Sequence, residues 1–241
     1  MQNVGVGAEQ RVLAVDVGGS HVKLLIQGEV EPVKFDSGSK LTPQQTVDGT
    51  IAAAKAAGWA WDMASVGIPT PVRASKPVSE PANLGKGWVA FDFEQAFEKP
   101  TKVVNDAVMQ ALGSYEGGRM LFLGLGTGLG SALIIDGVVE PLELAHLPFR
   151  KGTFEDYVGE RSMLARGKKK WRKLVFDVVE QLAKAMQPDY IVIGGGGVKQ
   201  LDELPPNCRR GDNELAFLGG FRLWDPAWTP STSAGSELSP S

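Results

Sequence analysis

A chain of 241 residues with 43% hydrophobic and 22% charged residues can bury a sizeable core, as one large or two small domains. Its net charge of -3 is unlike the basic balance of most nucleic-acid-binding proteins, and its single cysteine, Cys208, excludes an internal disulfide framework. Two histidines beside that cysteine are too few for a structural zinc site, and no apolar run reaches the about 18 residues of a membrane span. The N-terminus lacks the apolar segment of a secretory signal, so we expect a cytoplasmic protein that binds neither nucleic acid nor membrane.

The first half of the chain predicts a β-meander followed by a helix and further strands. Two apolar runs flank the turn Gly18-Gly19-Ser20, as in two short strands joined by a turn. Thr42 as N-cap, Pro43 at the first helical position and Gln45 three residues after the cap indicate the start of a helix. The expected elements are strands at 11–17, 22–27, about 30–35, 63–69 and 101–106, and helices from 42 to about 57 and from 107 to about 115.

The second half of the chain repeats this opening. An apolar strand, a glycine-rich turn at 126–130 and a second apolar strand follow one another within residues 119–139, so we expect a duplicated architecture. Apolar residues at three- and four-residue spacing then predict an amphipathic helix that ends near Gln187. A buried strand at 189–193 runs directly into four glycines, and the polar, Pro- and Ser-rich segment after Trp224 predicts a disordered tail.

Three predicted strands therefore end in glycine clusters, at 18–20, 126–130 and 194–197. Glycines allow neighbouring backbone N–H groups to turn outward together, which suits the oxygens of a phosphate. For any one cluster, a tight hairpin that requires positive φ explains the glycines equally well. The three together favour phosphate binding, and none of them matches the P-loop or the dinucleotide pattern.

The order of these motifs resembles the ROK sugar kinases (repressors, open reading frames, kinases) of the actin-like ATPase superfamily. The resemblance implies an α/β fold with two lobes, an actin-like (ribonuclease H-like) ATPase fold of mixed sheets with flanking helices, and an active site in the cleft between the lobes. It covers about residues 11–200. The motifs that carry it are DVGGSHVK (16–23), VND (104–106), LGTGLGSALIIDG (125–137), ELAH (143–146), FEDYVG (154–159) and PDYIVIGGGGV (188–198).

The same resemblance implies a division of the chain into lobes. Residues 1–106 form a smaller N-terminal lobe on the Mg²⁺, first-phosphate and sugar side. Residues 107–224 form a larger C-terminal lobe with the second phosphate motif, ELAH and the nucleotide or polyphosphate side, and its last helix could pack back on the first lobe. Residues 225–241 are the expected disordered tail.

The implied activity is transfer of a phosphoryl group from polyphosphate or ATP to the 6-hydroxyl of glucose or a related hexose. Asp16 would hold Mg²⁺ directly or through water, and Asp106 would accept the hydroxyl proton as the catalytic base. From the residues alone, capping of the helix that begins near 107 is the less favoured explanation of Asp106, and one residue can serve both roles. Lys23 is the least certain donor residue, since it could simply be solvated.

The resemblance assigns two further sets of residues. Those expected near the donor phosphates are Gly18, Gly19, Ser20, Lys23, Gly126, Thr127, Gly128, Gly195, Gly196 and Gly197. Those expected to bind the sugar beside Asp106 are Asn83, Asn105, Glu143, His146 and Glu155. Taken alone, His146 would be an ordinary half-buried histidine and Glu143 a surface carboxylate.

Some features depart from the family pattern. Thr70 and Ala145 stand where glycine is usual, and their bulk could change the sugar accepted. The short length after the last glycine cluster weakens ATP as the donor and mildly favours polyphosphate. The basic run at 168–173 is either a solvated helix start, which we favour, or a cationic track for polyphosphate.

Two other functions remain open. One is a sugar-binding protein that has lost catalysis, which the departures at Thr70 and Ala145 allow. The other is a sugar-responsive regulator, which in this family carries an N-terminal DNA-binding domain; we see no room for a helix-turn-helix before Asp16. The resemblance also leaves a homodimer open.

Overall fold

The structure is a computed structural model that describes residues 10–225. Its strands are β1 (Val12–Val17), β2 (His21–Ile26), β3 (Val33–Asp36), β4 (Met63–Ile68), β5 (Val72–Arg73), β6 (Lys76–Pro77), β7 (Thr101–Asn105), β8 (Arg119–Leu125), β9 (Leu129–Ile135), β10 (Val138–Leu142), β11 (Pro148–Phe149), β12 (Gly152–Thr153), β13 (Tyr190–Gly194) and β14 (Cys208–Arg210). Its α-helices are α1 (Pro43–Ala56), α2 (Phe93–Phe97), α3 (Asp106–Ser114), α4 (Phe154–Val158), α5 (Glu160–Arg166), α6 (Lys168–Met186) and α7 (Leu215–Arg222). Short 3-10 helices lie at Leu144–His146 and Gly196–Gln200.

The chain forms two compact units, one ending at Asp106 and the other beginning at Ala107. Each unit contains a five-stranded sheet, in the order β3-β2-β1-β4-β7 in the first and β10-β9-β8-β13-β14 in the second. In both sheets the first three strands in sequence pair antiparallel, and the fourth and fifth are parallel to the first. The duplicated architecture expected from the sequence is therefore present. The assignment of the units as kinase lobes stays a prediction.

The core of the first unit surrounds β1. Leu13, Ala14 and Val15 are fully buried, as expected for a strand with paired neighbours on both sides and apolar groups on both faces. Thr42 caps α1: its side chain accepts from the Gln45 amide, and the Gln45 side chain accepts from the Thr42 amide. The predicted capping box is confirmed, and the buried Val47 of α1 belongs to the same core.

The core of the second unit depends on α6. Trp171 is 1% exposed, and its indole N–H donates to the Val158 carbonyl at 2.7 Å. This bond ties α6 to the end of α4, the helix that carries Glu155. Elsewhere in this unit α7 packs closely on α3, because a Cβ on Gly113 would lie only 1.7 Å from the Leu215 carbonyl oxygen. The C-terminal end of α3 is therefore held against α7.

Differences from the predicted elements are small. The third strand starts later than expected, at Val33, and the loose segment at 71–88 contains the hairpin of β5 and β6. No helix within the described residues is long and apolar enough to cross a membrane. The predicted disordered tail lies, apart from Asp225, outside the described residues.

Candidate functional site

The first glycine cluster is the turn between β1 and β2. The Gly18 amide donates to the His21 carbonyl at 3.0 Å, which makes the turn tight. Ser37, just after β3, holds the turn from outside: its hydroxyl donates to the Gly18 carbonyl at 2.6 Å and its amide to the Ser20 carbonyl at 3.0 Å. Sequence reasoning missed Ser37, since nothing in its local pattern marks it.

Asp16 lies in β1 directly opposite Lys23 of β2, so the two side chains share one face of the hairpin. Burial raises the pKa of Asp16 from 3.8 to about 6, and the nearby charge of Lys23 opposes this rise. A half-buried carboxylate with a raised pKa is held at an energetic cost, which is typical of a functional group. Lys23 is therefore next to the carboxylate that the sequence analysis singled out.

A magnesium ion fits this position chemically. Carboxylate oxygen is a ligand that Mg²⁺ prefers, and an ion bound to donor phosphates needs only one or two protein carboxylates. Among residues 10–225 there is no cluster of three or more His, Cys, Asp or Glu side chains that could hold a metal ion by themselves. Asp16 could supply one such carboxylate.

The polar residues predicted for the first unit meet at one edge of its sheet. β1, β4 and β7 run parallel, and Asp16, Asn105 and Asp106 all lie at or just beyond the carboxyl ends of these strands. Ligands of open α/β sheets bind at this edge. Asn83 is exposed beside the glycine turn, since its Cβ is 3.7 Å from the position of a Cβ on Gly19.

Asp106 is the first residue of α3 and is half-buried. The helix thus begins one residue earlier than the sequence predicted, with Asp106 in its first turn, where a negative charge interacts favourably with the helix dipole. Asn105, the last residue of β7, donates from its side-chain Nδ2 to the Thr70 carbonyl at 3.2 Å. The amide orientation of Asn105 is therefore set by Thr70.

The second glycine cluster is the turn between β8 and β9, and it packs against α4 and α5. The Glu160 amide donates to the Gly126 carbonyl at 3.0 Å. The side chain of Glu155 occupies the space that Gly128 leaves, because a Cβ there would lie 2.0 Å from Glu155 Oε2. Glycine is required at 128 so that a carboxylate can lie against this turn.

The third cluster lies beside the second. β13 is parallel to β8, with Gly194 opposite Gly124, so the segments that follow these two strands are neighbours. A Cβ on Gly195 would lie 2.3 Å from the Leu125 carbonyl oxygen, and Gly195 also has a φ of +76°. Two of the three predicted phosphate motifs thus share one sheet edge in the second unit.

Gly126 and Gly196 distinguish phosphate binding from the hairpin explanation. Neither residue is among the glycines with positive φ, and a Cβ on either would meet no atom of the described residues within 4 Å. Backbone conformation and internal packing therefore give no reason for glycine at these two positions. Open space in front of the backbone is what a bound anion needs, but the Gly126 N–H itself donates to the Gly128 carbonyl at 3.1 Å, so at Gly126 only the space is available. The hairpin explanation does account for Gly18, whose Cβ would approach the His21 carbonyl.

The remaining sugar residues are grouped in the second unit. Glu143 Oε2 and His146 Nε2 are 3.9 Å apart, and both side chains are largely exposed. Burial raises the pKa of Glu143, His146 opposes the rise, and the negative charge of Glu155 adds to it. The three residues therefore interact electrostatically. Ala145 between them is 3% exposed and packs in the hydrophobic core, so its methyl group is accommodated there.

The basic run at 168–173 forms the start of α6. Trp171 within it is buried, and Arg172 pairs with Asp202 and donates to the Gln200 carbonyl. The four lysines of the run are exposed. The solvated helix start that the sequence favoured accounts for most of this segment, while Arg172 holds the chain after the third glycine cluster.

Comparison with known proteins identifies the class of fold. No family model matches the chain. The chain is similar to the solved inorganic polyphosphate/ATP-glucomannokinase from Arthrobacter sp. strain KM, with a TM-score of 0.76 and 21% identity over 87% of this chain and 96% of that one. The chain is also similar to a ROK family glucokinase from Streptomyces griseus, solved with glucose and AMPPNP. The TM-score is 0.69 and the identity is 15%, and the match covers 87% of this chain and 97% of that one. The predicted actin-like fold of the ROK sugar kinases is confirmed.

A curated relative makes the resemblance more specific. Polyphosphate glucokinase from Mycobacterium leprae (strain TN) is 28% identical over 225 residues, which cover 84% of this chain and 68% of that protein. The resemblance stated from the sequence motifs is thereby confirmed over 84% of this chain.

The raised pKa of Asp16 predicts a stability change in Asp16→Asn. A folded pKa above the unfolded value means that protonation of Asp16 stabilises the fold below about pH 4, and that this stabilisation is lost as the pH rises through about 6. At pH 7.5 without metal, we expect the neutral variant to gain on the order of 1 to 3 kcal/mol in the free energy of unfolding. Denaturant unfolding in EDTA measures this.

The gain in the free energy of unfolding of Asp16→Asn should shrink towards zero at pH 4, where Asp16 of the parent protein is protonated. Asp36→Asn is the matched control, because the Asp36 side chain is 95% exposed and its removal should change stability little. A loss of stability in Asp16→Asn at pH 7.5 contradicts the prediction.

Proposed function

We propose that this protein is a hexose kinase that transfers a phosphoryl group from polyphosphate or ATP to the 6-hydroxyl of glucose or a related hexose. The observation that carries the proposal is the pair of glycines, Gly126 and Gly196, that have no conformational or packing cause and lie in adjacent segments with open space in front. The names of the similar proteins, a polyphosphate glucokinase and a polyphosphate/ATP-glucomannokinase, support a hexose acceptor and a phosphate donor.

In this proposal the first unit is the lobe that holds the metal and part of the sugar. The second unit is the lobe that binds the donor and the rest of the sugar. Asp16 holds Mg²⁺, directly or through water, with Lys23 beside it. Mg²⁺, when bound, supplies positive charge that offsets the charge of the donor phosphates.

Asp106 acts on the acceptor. Its carboxylate takes the proton of the sugar 6-hydroxyl while the oxygen forms its bond to the terminal phosphorus, and the bond from that phosphorus to the rest of the donor breaks with its electron pair. Backbone N–H groups of the turn around Thr127, other than that of Gly126, which donates to the Gly128 carbonyl at 3.1 Å, stabilise the charge on the transferred group. The protein therefore contributes mainly position and charge, with one proton acceptor.

Sugar recognition falls to Asn83, Asn105, Glu143, His146 and Glu155. Each presents donors or acceptors that a matching ring hydroxyl can satisfy. A wrong sugar leaves a polar group unpaired, at a cost of about 1 to 3 kcal/mol each, which is enough to reject it. The charge coupling between Glu143, His146 and Glu155 supports their joint role.

The direct test compares donors. Initial rates are measured with ATP and with long-chain polyphosphate, at fixed glucose and Mg²⁺ concentrations. We expect glucose 6-phosphate from at least one donor. A faster rate with polyphosphate would indicate that the four exposed lysines at the start of α6 act as a cationic track, and equal rates would support the solvated helix start. No product from glucose or mannose with either donor would favour the catalytically inactive sugar-binding protein instead.

Asp106→Asn tests the base. The amide keeps the size and much of the hydrogen bonding of the carboxylate but cannot accept the proton. We expect kcat to fall by about 10² to 10⁴-fold, with glucose affinity within roughly tenfold of the parent. Asp48→Asn, an exposed carboxylate on α1, is the control and should keep parental kinetics. Unchanged turnover in Asp106→Asn removes this residue from the mechanism.

Gly126→Ala tests the phosphate turn. The added Cβ meets no atom within residues 10–225 and φ is not positive, so the variant should fold with a Tm within about 2 °C of the parent. The methyl group would nevertheless fill the space assigned to the donor, and we expect the donor KM to rise at least about tenfold, equivalent to 1.4 kcal/mol. Parental donor kinetics in a folded Gly126→Ala protein argue against phosphate at this turn.

A further inference from the structure

A chain of hydrogen bonds in the first unit connects Asn105 to Ser79 through Thr70. Thr70 is 4% exposed, and its carbonyl accepts from Asn105 Nδ2 at 3.2 Å. Its hydroxyl lies 3.0 Å from the Ser79 carbonyl oxygen, to which it donates, and 2.7 Å from the Ser79 hydroxyl. Asn105 therefore depends on a residue whose own place is set by a segment nine positions further along the chain.

Glu80, the residue after Ser79, closes the loop that carries Asn83. Its two carboxylate oxygens accept from the backbone amides of Trp88 and Gly87, both at 3.1 Å. These two bonds, the Trp88 one most, hold the pKa of Glu80 below its usual range. Hydrogen bonds to a charged carboxylate are stronger than those between neutral groups, so Glu80 holds the two ends of the loop at residues 80–88 together.

The rest of that loop is also anchored. Trp88 is fully buried and Leu84 is 5% exposed. The Gly85 amide donates to the Leu41 carbonyl at 2.9 Å, and a Cβ on Gly85 would collide with backbone at Lys40. Asn83 is exposed between these fixed points and lies beside the first glycine turn. A polar side chain held exposed on a rigid loop is suited to binding a ligand.

We propose that Thr70, Ser79 and Glu80 are positioning residues that hold Asn105 and Asn83 in one fixed arrangement for the hydroxyls of the sugar. Ser79 ties the start of the loop to Asn105 through Thr70, and Glu80 ties the end of the loop to its start. The inference rests on the proposed function only for the identity of the ligand. The hydrogen bonds made by Thr70, Ser79 and Glu80, which we call the tie, are a property of the free protein.

Kinetics test the positioning role. Thr70→Val removes the hydroxyl and keeps the shape, and we expect the glucose KM to rise about tenfold while the donor KM stays within about twofold. Thr70→Ser keeps the hydroxyl and should restore the glucose KM. Thr50→Val is the matched control, because the buried Thr50 hydroxyl has no hydrogen-bond partner among residues 10–225 and its loss should not change either KM.

Amide hydrogen exchange tests the tie without substrate. Glu80→Gln should raise the exchange rates of the Gly87 and Trp88 amides about tenfold or more, and Thr50→Val should leave them unchanged. Parental exchange in Glu80→Gln together with a parental glucose KM in Thr70→Val overturns the inference. Equal rises of both KM values with a lowered Tm also overturn it, since they indicate a general loss of structure.

The two proposals fail in different ways. Exchange that responds as expected, in a parent protein that phosphorylates no hexose, contradicts the proposed function and supports the tie. A parent protein that phosphorylates glucose, with variants that change neither exchange nor glucose KM, contradicts the tie and leaves the proposed function in place.

Discussion

A backbone amide can approach an anion closely only where no side chain stands in front of it. The residues of this protein that bear on function are arranged around that constraint. At Gly128 the missing side chain leaves room for Glu155, and at Gly195 it leaves room for the end of β8. At Gly126 and Gly196 no part of the chain that the structure describes fills the space of the missing side chain. Bare backbone that the fold does not fill is available to a ligand.

The duplicated sheet topology explains why a strand that ends in a glycine-rich turn occurs in both units. In each unit a central strand ends in a glycine-rich hairpin, and parallel strands beside it end at the same edge. The first unit gathers carboxylate and amide side chains at that edge. The second gathers two glycine segments together with Glu143, His146 and Glu155. Parallel strands produce this because their carboxyl ends lie on one side.

Holding polar groups at these edges opposes stability. Burial disfavours the charged form of Asp16, and the positive charge of Lys23 compensates for part of that effect. Thr70 is buried, and its hydroxyl and carbonyl are satisfied by Ser79 and Asn105, so its polar atoms do not add a desolvation penalty. The carboxylate of Asp16 is therefore held in an environment that disfavours its charge, whereas the polar groups of Thr70 are satisfied by hydrogen bonds.

The sequence by itself determined the local features. The capping box at Thr42, the hairpin strands around the glycine turns and the amphipathic α6 all follow from neighbouring residues, whose preferences act over one or two turns of chain. Only the tertiary structure decided which distant residues meet. The contact of Thr70 with Asn105, the core position of Ala145 and the pairing of Arg172 with Asp202 depend on strand register and helix packing, which no local pattern encodes.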